Sequence, residues 1–133
     1  MAAAQLNQRP PIMLIESEAD ALADLAFGIR TRNPDVANLL IEEIDRAQTV
    51  DAADIPDDVV TMRSSVTFID EKSGEQHKVQ LVFPGEADLD AGRLSILTPV
   101  GAGLIGLRTG QSISWPDRHG KDRVLTIGQV SRG

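Results

Sequence analysis

A chain of 133 residues with 41% hydrophobic content can bury one core, or one core with a small appendage. It has no cysteine, which excludes a disulfide scaffold, a thiol nucleophile and cysteine-ligated zinc, and neither His77 nor His119 has a second metal ligand at helical spacing. The net charge of −7 is uneven: residues 1–60 carry 12 acidic and 4 basic side chains and residues 61–133 carry 8 and 9, a balance unsuited to direct binding of duplex nucleic acid.

No apolar run reaches about 18 residues, and the first eleven residues lack the basic start and apolar centre of a signal peptide, so a cytoplasmic, non-membrane protein is expected. Residues 1–11 end in Pro10-Pro11 and read as a flexible arm. After a short extended piece at Ile12–Ile15, Ser17 is expected to cap a helix with Asp20 as its reciprocal partner. Leu22, Leu25, Ala26 and Ile29 then form one apolar stripe.

Residues 28–33 break that helix. Asn33-Pro34 starts a second one, with Asn33 as N-cap and proline at the first helical position. Val36, Leu40, Ile44 and Ala47 supply its stripe. A connection this short implies an antiparallel pair, so residues 12–50 are expected to form a stubby helical hairpin, each helix about 18 to 21 Å long. Its tip carries Arg30, Thr31, Arg32 and Asn33. Asp35 follows as a first-turn acid favoured by the helix dipole.

Residues 49–58 read as an acidic loop, and from there the periodicity becomes strand-like, so residues 51–133 are expected to form a β-rich domain. Val60, Met62, Val66 and Phe68 alternate, with an irregularity at Ser64-Ser65. Residues 71–74 offer a hairpin turn, and Val79, Leu81 and Phe83 return. Ser112–Trp115 and Arg123–Val130 are the last two strands, the final one patterned as if buried on both faces. The whole is an α+β fold: the helical hairpin, then an antiparallel sheet of about five strands covered by one short helix.

That helix lies in Leu94–Gly110, LSILTPVGAGLIGLRTG, where Gly101, Gly103 and Gly106 spell G-x-G-x-x-G. The spacing matches a pyrophosphate-binding turn, which also requires a full helix and a parallel return strand. Gly110 closes the segment too early for that crossover. The glycines are better read as permitting close approach of a short helix to the sheet. A triad drawn from Ser112 or Ser114 with Asp117 and His119 lacks the strained elbow a nucleophilic serine usually occupies.

The stretches DDVVTMRSSVTF and LVFPGEADLDAGRLSILTPVGAGLIGLRTGQSISW resemble the carboxy-terminal domain of the Gre transcript elongation factors, a domain similar to FK506-binding proteins. The hydroxyl-Pro-x-Gly spacing that carries the likeness is met by Thr98, Pro99, Gly101, Gly106 and Gly110. The short hairpin, with IEEIDRAQTV leading into IPDDVVTM, is closer to the nucleoside diphosphate kinase regulators of the same superfamily. The resemblance implies a monomer without cofactor or metal that binds bacterial RNA polymerase at the rim of the secondary channel. It also implies polymerase contacts at Leu97, Thr98 and Pro99.

Cleavage-stimulating members carry carboxylates at the tip of a long coiled coil, whereas this tip offers Arg30 and Arg32. The resemblance therefore implies a non-catalytic competitor of Gre-type factors that affects nucleoside diphosphate kinase levels. Leu97 stands where several relatives have a polar or acidic residue, and Gln111 where an aspartate is common. The alternatives are an interaction module outside transcription and a prolyl isomerase, the latter opposed by a chain with three Phe, one Trp and no Tyr.

Overall fold

A computed structural model describes residues 10–116 and 122–131. Its elements in chain order are β1 (Met13–Ile15), α1 (Glu16–Ile29), α2 (Pro34–Arg46), β2 (Gln48–Val50), β3 (Ser65–Asp70), β4 (Glu75–Val82), β5 (Arg93–Ser95), α3 (Pro99–Leu104), β6 (Ser112–Pro116) and β7 (Asp122–Ser131). The expected α+β class holds, with three helices and a sheet of order β5-β4-β3-β7-β6. The sheet is mixed rather than antiparallel, because β5 runs parallel to β4 while the other pairs are antiparallel. The chain between β4 and β5 folds through two 3₁₀ turns and returns in the same direction, which a tight hairpin could not do.

The first helix starts differently from expectation. Ser17 and Asp20 form no capping box: α1 begins at Glu16 directly from Ile15, which is still extended and paired with Val50, and no side chain caps it. Glu16 and Glu18 in its first turn complement the helix dipole, and Glu18 also accepts a hydrogen bond from the Met62 N–H at 3.0 Å. The second helix starts as expected, with the Asn33 side chain accepting from the Val36 N–H and Pro34 opening the first turn. Joined by residues 30–33, α1 and α2 pack against each other. Ile29 meets Val36 and Ala37 beside the connection.

Two loops contain order that periodicity missed. Residues 48–50 form a strand parallel to residues 13–15, making a second, two-stranded sheet at the base of the helical pair. Val60 and Met62 are buried but lie outside any strand. Thr61 and Ser64 close a turn there by N–H to hydroxyl and hydroxyl to hydroxyl bonds at 3.0 and 2.8 Å, and Arg63 adopts φ 67°. Alternating apolar residues bury equally well from such a turn, so burial alone imitated a strand.

The last strand buries one face rather than two. Leu125 and Ile127 point inward while Val124 is exposed. At Gly128 the register against β3 shifts, Thr67 pairing with Gln129 and Phe68 with Ile127. This bulge returns Val130 to the core side and accounts for the imperfect alternation.

One apolar cluster runs from Leu22 and Leu40 on the helical pair to Val66, Phe68, Leu81, Leu125 and Ile127 on the sheet. Trp115 and Leu104 sit inside it. A Cβ added at Gly103 would lie 2.9 Å from the Trp115 ring, whereas one added at Gly28 would meet nothing within 4 Å. Gly103→Ala should therefore destabilise the fold by about 1 to 3 kcal/mol through overpacking, and Gly28→Ala should be neutral or stabilising by up to about 1 kcal/mol through helix propensity. Urea unfolding midpoints of the two variants check the contrast.

Candidate functional site

The segment from Ser95 to Gly101 turns the chain out of β5 and into α3. Ile96 anchors it, buried and bonded from its N–H to the Val82 carbonyl at 2.9 Å. The Leu97 N–H donates to the Ser95 hydroxyl at 3.0 Å. Thr98 is the N-cap of α3: its hydroxyl donates to the Ser95 carbonyl at 2.8 Å and accepts from the Gly101 N–H at 3.0 Å. Pro99 follows at the first helical position, where its fixed φ and missing N–H cost nothing. Its carbonyl accepts the indole N–H of Trp115.

The glycines of the G-x-G-x-x-G run are explained by contact. A Cβ at Gly101 would fall 2.3 Å from the Ser95 carbonyl oxygen, one at Gly103 on the Trp115 ring, and one at Gly106, with φ 84°, 2.9 Å from the Ile12 Cβ. The helix they open is six residues long, and β6 beyond it is antiparallel to β7. Close packing, not a dinucleotide, uses this spacing.

Leu97 is half-buried and packs against the Ile29, Val36 and Ala37 cluster, so the turn leans on the end of the helical pair. Leu97, Arg32, Asp24, Leu25, Phe83 and Pro84 border one open cleft of about 580 Å³. The structure thus brings Leu97 and Arg32 to the same cleft. Arg30 and Asp35 are exposed, and Asp35 stands in the first turn of α2. Gln111 is a structural residue: it accepts from the Arg108 N–H at 2.8 Å and donates to the Pro11 carbonyl at 3.2 Å.

A second concavity of about 290 Å³ lies between the sheet and α3, lined by Phe68, His77, Val79, Leu94, Val100 and Trp115 with Asp70 and Arg123 at one side. Phe68 is one of the alternating strand residues, and no periodic signal reveals that its ring stacks on His77 at 5.2 Å beside this space. Burial pushes the Asp70 carboxyl upward, but hydrogen bonding and charge from Arg123, with the Lys72 and Ser73 N–H groups, outweigh it and hold the pKa below the usual carboxylate range. Of the serine triad, the Ser112 hydroxyl bonds to that of Thr126 at 2.7 Å, while Asp117 and His119 lie outside the described residues.

A covered mixed sheet, a capped Thr-Pro turn and a helical pair at its flank define a Gre-type architecture, and comparison with known proteins agrees. Residues 55–132 match the family model described as "Transcription elongation factor, GreA/GreB, C-term". The chain belongs to this family. It is 37% identical over 107 residues to the "Regulator of nucleoside diphosphate kinase" of Escherichia coli K12, covering 80% of this chain and 79% of that one. It is 35% identical over 117 residues to "Transcription elongation factor GreA" of Azorhizobium caulinodans, covering 82% and 74%. A solved structure, "Prokaryotic transcription elongation factor GreA/GreB from Nitrosomonas europaea", superimposes with TM-score 0.71 at 36% identity over 92% of this chain and 99% of that one.

Two outcomes follow from this geometry. Thr98→Val keeps the shape but removes both hydroxyl bonds, and should lower stability by about 1 to 2 kcal/mol in urea unfolding. Asp70 has a folded pKa below its unfolded value near about 3.9; its contribution is present above that pH and lost as pH falls through the folded pKa. The Asp70→Asn variant should therefore lose less stability than the parent on acidification, read from unfolding midpoints across an acid series.

Proposed function

We propose that the chain is a non-catalytic transcription regulator that binds bacterial RNA polymerase at the rim of the secondary channel. In this reading residues 51–133 form an FK506-binding-protein-like docking domain, with Leu97, Thr98 and Pro99 as its contact, and residues 12–50 form a short antiparallel hairpin directed into the channel. The observation that carries it is the internally bonded Ser95–Gly101 turn. Its Thr98 hydroxyl is occupied on both sides, so the turn presents the Leu97 side chain and the Pro99 ring in a fixed arrangement. A preformed contact loses little freedom on binding.

The connection of the two helices favours binding without cleavage. Residues 27–33 carry two arginines and no carboxylate, and Asp35 stands alone in the first turn beyond them, so the tip lacks the paired carboxylates that would hold Mg²⁺. Such a protein acts by mass action, as a cytoplasmic monomer that excludes Gre-type factors from a shared rim. The name of the Escherichia coli relative connects this branch to nucleoside diphosphate kinase regulation, read here as an effect on that enzyme's level.

Fluorescence anisotropy with core RNA polymerase tests the reading. Saturable binding, displacement by a Gre factor and roughly tenfold weakening in a folded Pro99→Ala variant are expected, with no stimulated transcript cleavage. Absence of binding at micromolar protein would overturn it.

A further inference from the structure

The end of the helical pair differs chemically from the rest of it. Between Glu16 and Arg46 the chain carries eight carboxylates and three arginines. Glu16, Glu18, Asp20, Glu42, Glu43 and Asp45 lie towards the end remote from the connection, Asp24 and Asp35 stand nearer to it, and residues 27–33, FGIRTRN, hold two of the three arginines and no acid. Arg46, the third arginine, is bound to the buried Glu43. Arg63, Arg108 and Arg123 also have carboxylate partners. Among the described residues no ion pair is formed by Arg30 or Arg32.

Beside Arg30 is an exposed aromatic. Phe27 lies off the buried stripe of α1 and is 56% exposed. The Arg30 guanidinium sits 5.4 Å from the centre of its ring, which limits the wandering of both side chains before any partner arrives. Arg32 borders the cleft that Leu97 also lines.

We infer that Phe27, Arg30 and Arg32 form a contact surface for an acidic protein patch carrying an apolar side chain. Charge complementarity selects the partner's sign, and an aromatic with neighbouring arginines is the composition of protein interface anchors. Nucleic acid fits less well, because phosphate binding draws on cations spread along a strand, and here two cations stand at the end of an otherwise acidic helical pair. The identity of the partner as polymerase rests on the proposed function, with this surface engaging carboxylates beyond the rim contact.

The test compares the full chain with Phe27→Ser and with the double variant Arg30→Glu/Arg32→Glu, each first confirmed as folded by circular dichroism. Binding to core polymerase is measured at about 50 and 200 mM salt, across which screening of exposed charges increases. Parental binding should weaken with salt. Charge reversal should cost about tenfold or more at the lower salt and flatten the salt dependence, and Phe27→Ser should weaken binding at both salts.

If the parent binds and both variants match it, the surface is not a contact, although the rim reading stands. If the parent itself does not bind, the polymerase reading and this partner fail together. Binding of a single-stranded 12-nucleotide RNA that is abolished by the same variants would overturn the assignment to an acidic protein patch.

Discussion

The contact on which the covered sheet depends is that between Gly103 and Trp115. A helix of six residues has too little surface to hold itself on a sheet by side-chain packing alone. Here its backbone comes down onto an indole that is 1% exposed, and the indole N–H donates to the Pro99 carbonyl at the start of the same helix. Burying an aromatic of this size contributes roughly 4 to 6 kcal/mol before entropy is counted. The polar end of the ring is thereby paired with a backbone carbonyl, whose second lone pair lets it accept more than one donor.

The same contact fixes the neighbouring turn. Pro99 is tied to Trp115 and Thr98 to Ser95 and Gly101, and the Leu97 side chain beside them packs against both the main core and the Ile29, Val36 and Ala37 cluster. The opposite end of α3 repeats the logic. Gly106 accepts from the Met13 N–H and donates to the Val60 carbonyl, so the two-stranded sheet under the helical pair is bonded to the exit of α3. Gly106 sits against Ile12 where any side chain would collide. Helical pair and sheet are therefore coupled at both ends of one short helix.

Much of this was legible in the sequence, for identifiable reasons. Asn33-Pro34 and residues 71–74 are local signals whose geometry is set within four residues, and both appear where expected. The parallel placement of β5, the pairing of β1 with β2 and the turn at Thr61–Ser64 depend on partners far away in the chain, which periodicity does not encode. Ser17 has the right chemistry for a cap but loses to strand pairing at Ile15, which starts the helix two residues too early for it. For the candidate site, Thr98 and Pro99 are singled out by the family resemblance, and their cap and first-turn positions in α3 are local geometry. The convergence of Leu97 with Arg32 on one cleft required the fold, and Phe68 beside the cavity gave no signal distinct from a core strand.

The glycine run shows how one spacing serves two kinds of physics. In a dinucleotide fold the missing side chains let backbone N–H groups reach an anion, and the helix behind them is long enough to return the chain to a parallel strand. Here the space a side chain would occupy is filled by protein at all three positions: a carbonyl at Gly101, an indole at Gly103 and an isoleucine at Gly106. A pyrophosphate would need that volume empty. The quantity that separates the two cases is the distance from a virtual Cβ to its nearest neighbour, and at 2.3 to 2.9 Å it identifies a packing motif. The glycines make the short helix seat tightly, and the tight seat is what turns a Thr-Pro dipeptide into a fixed surface feature.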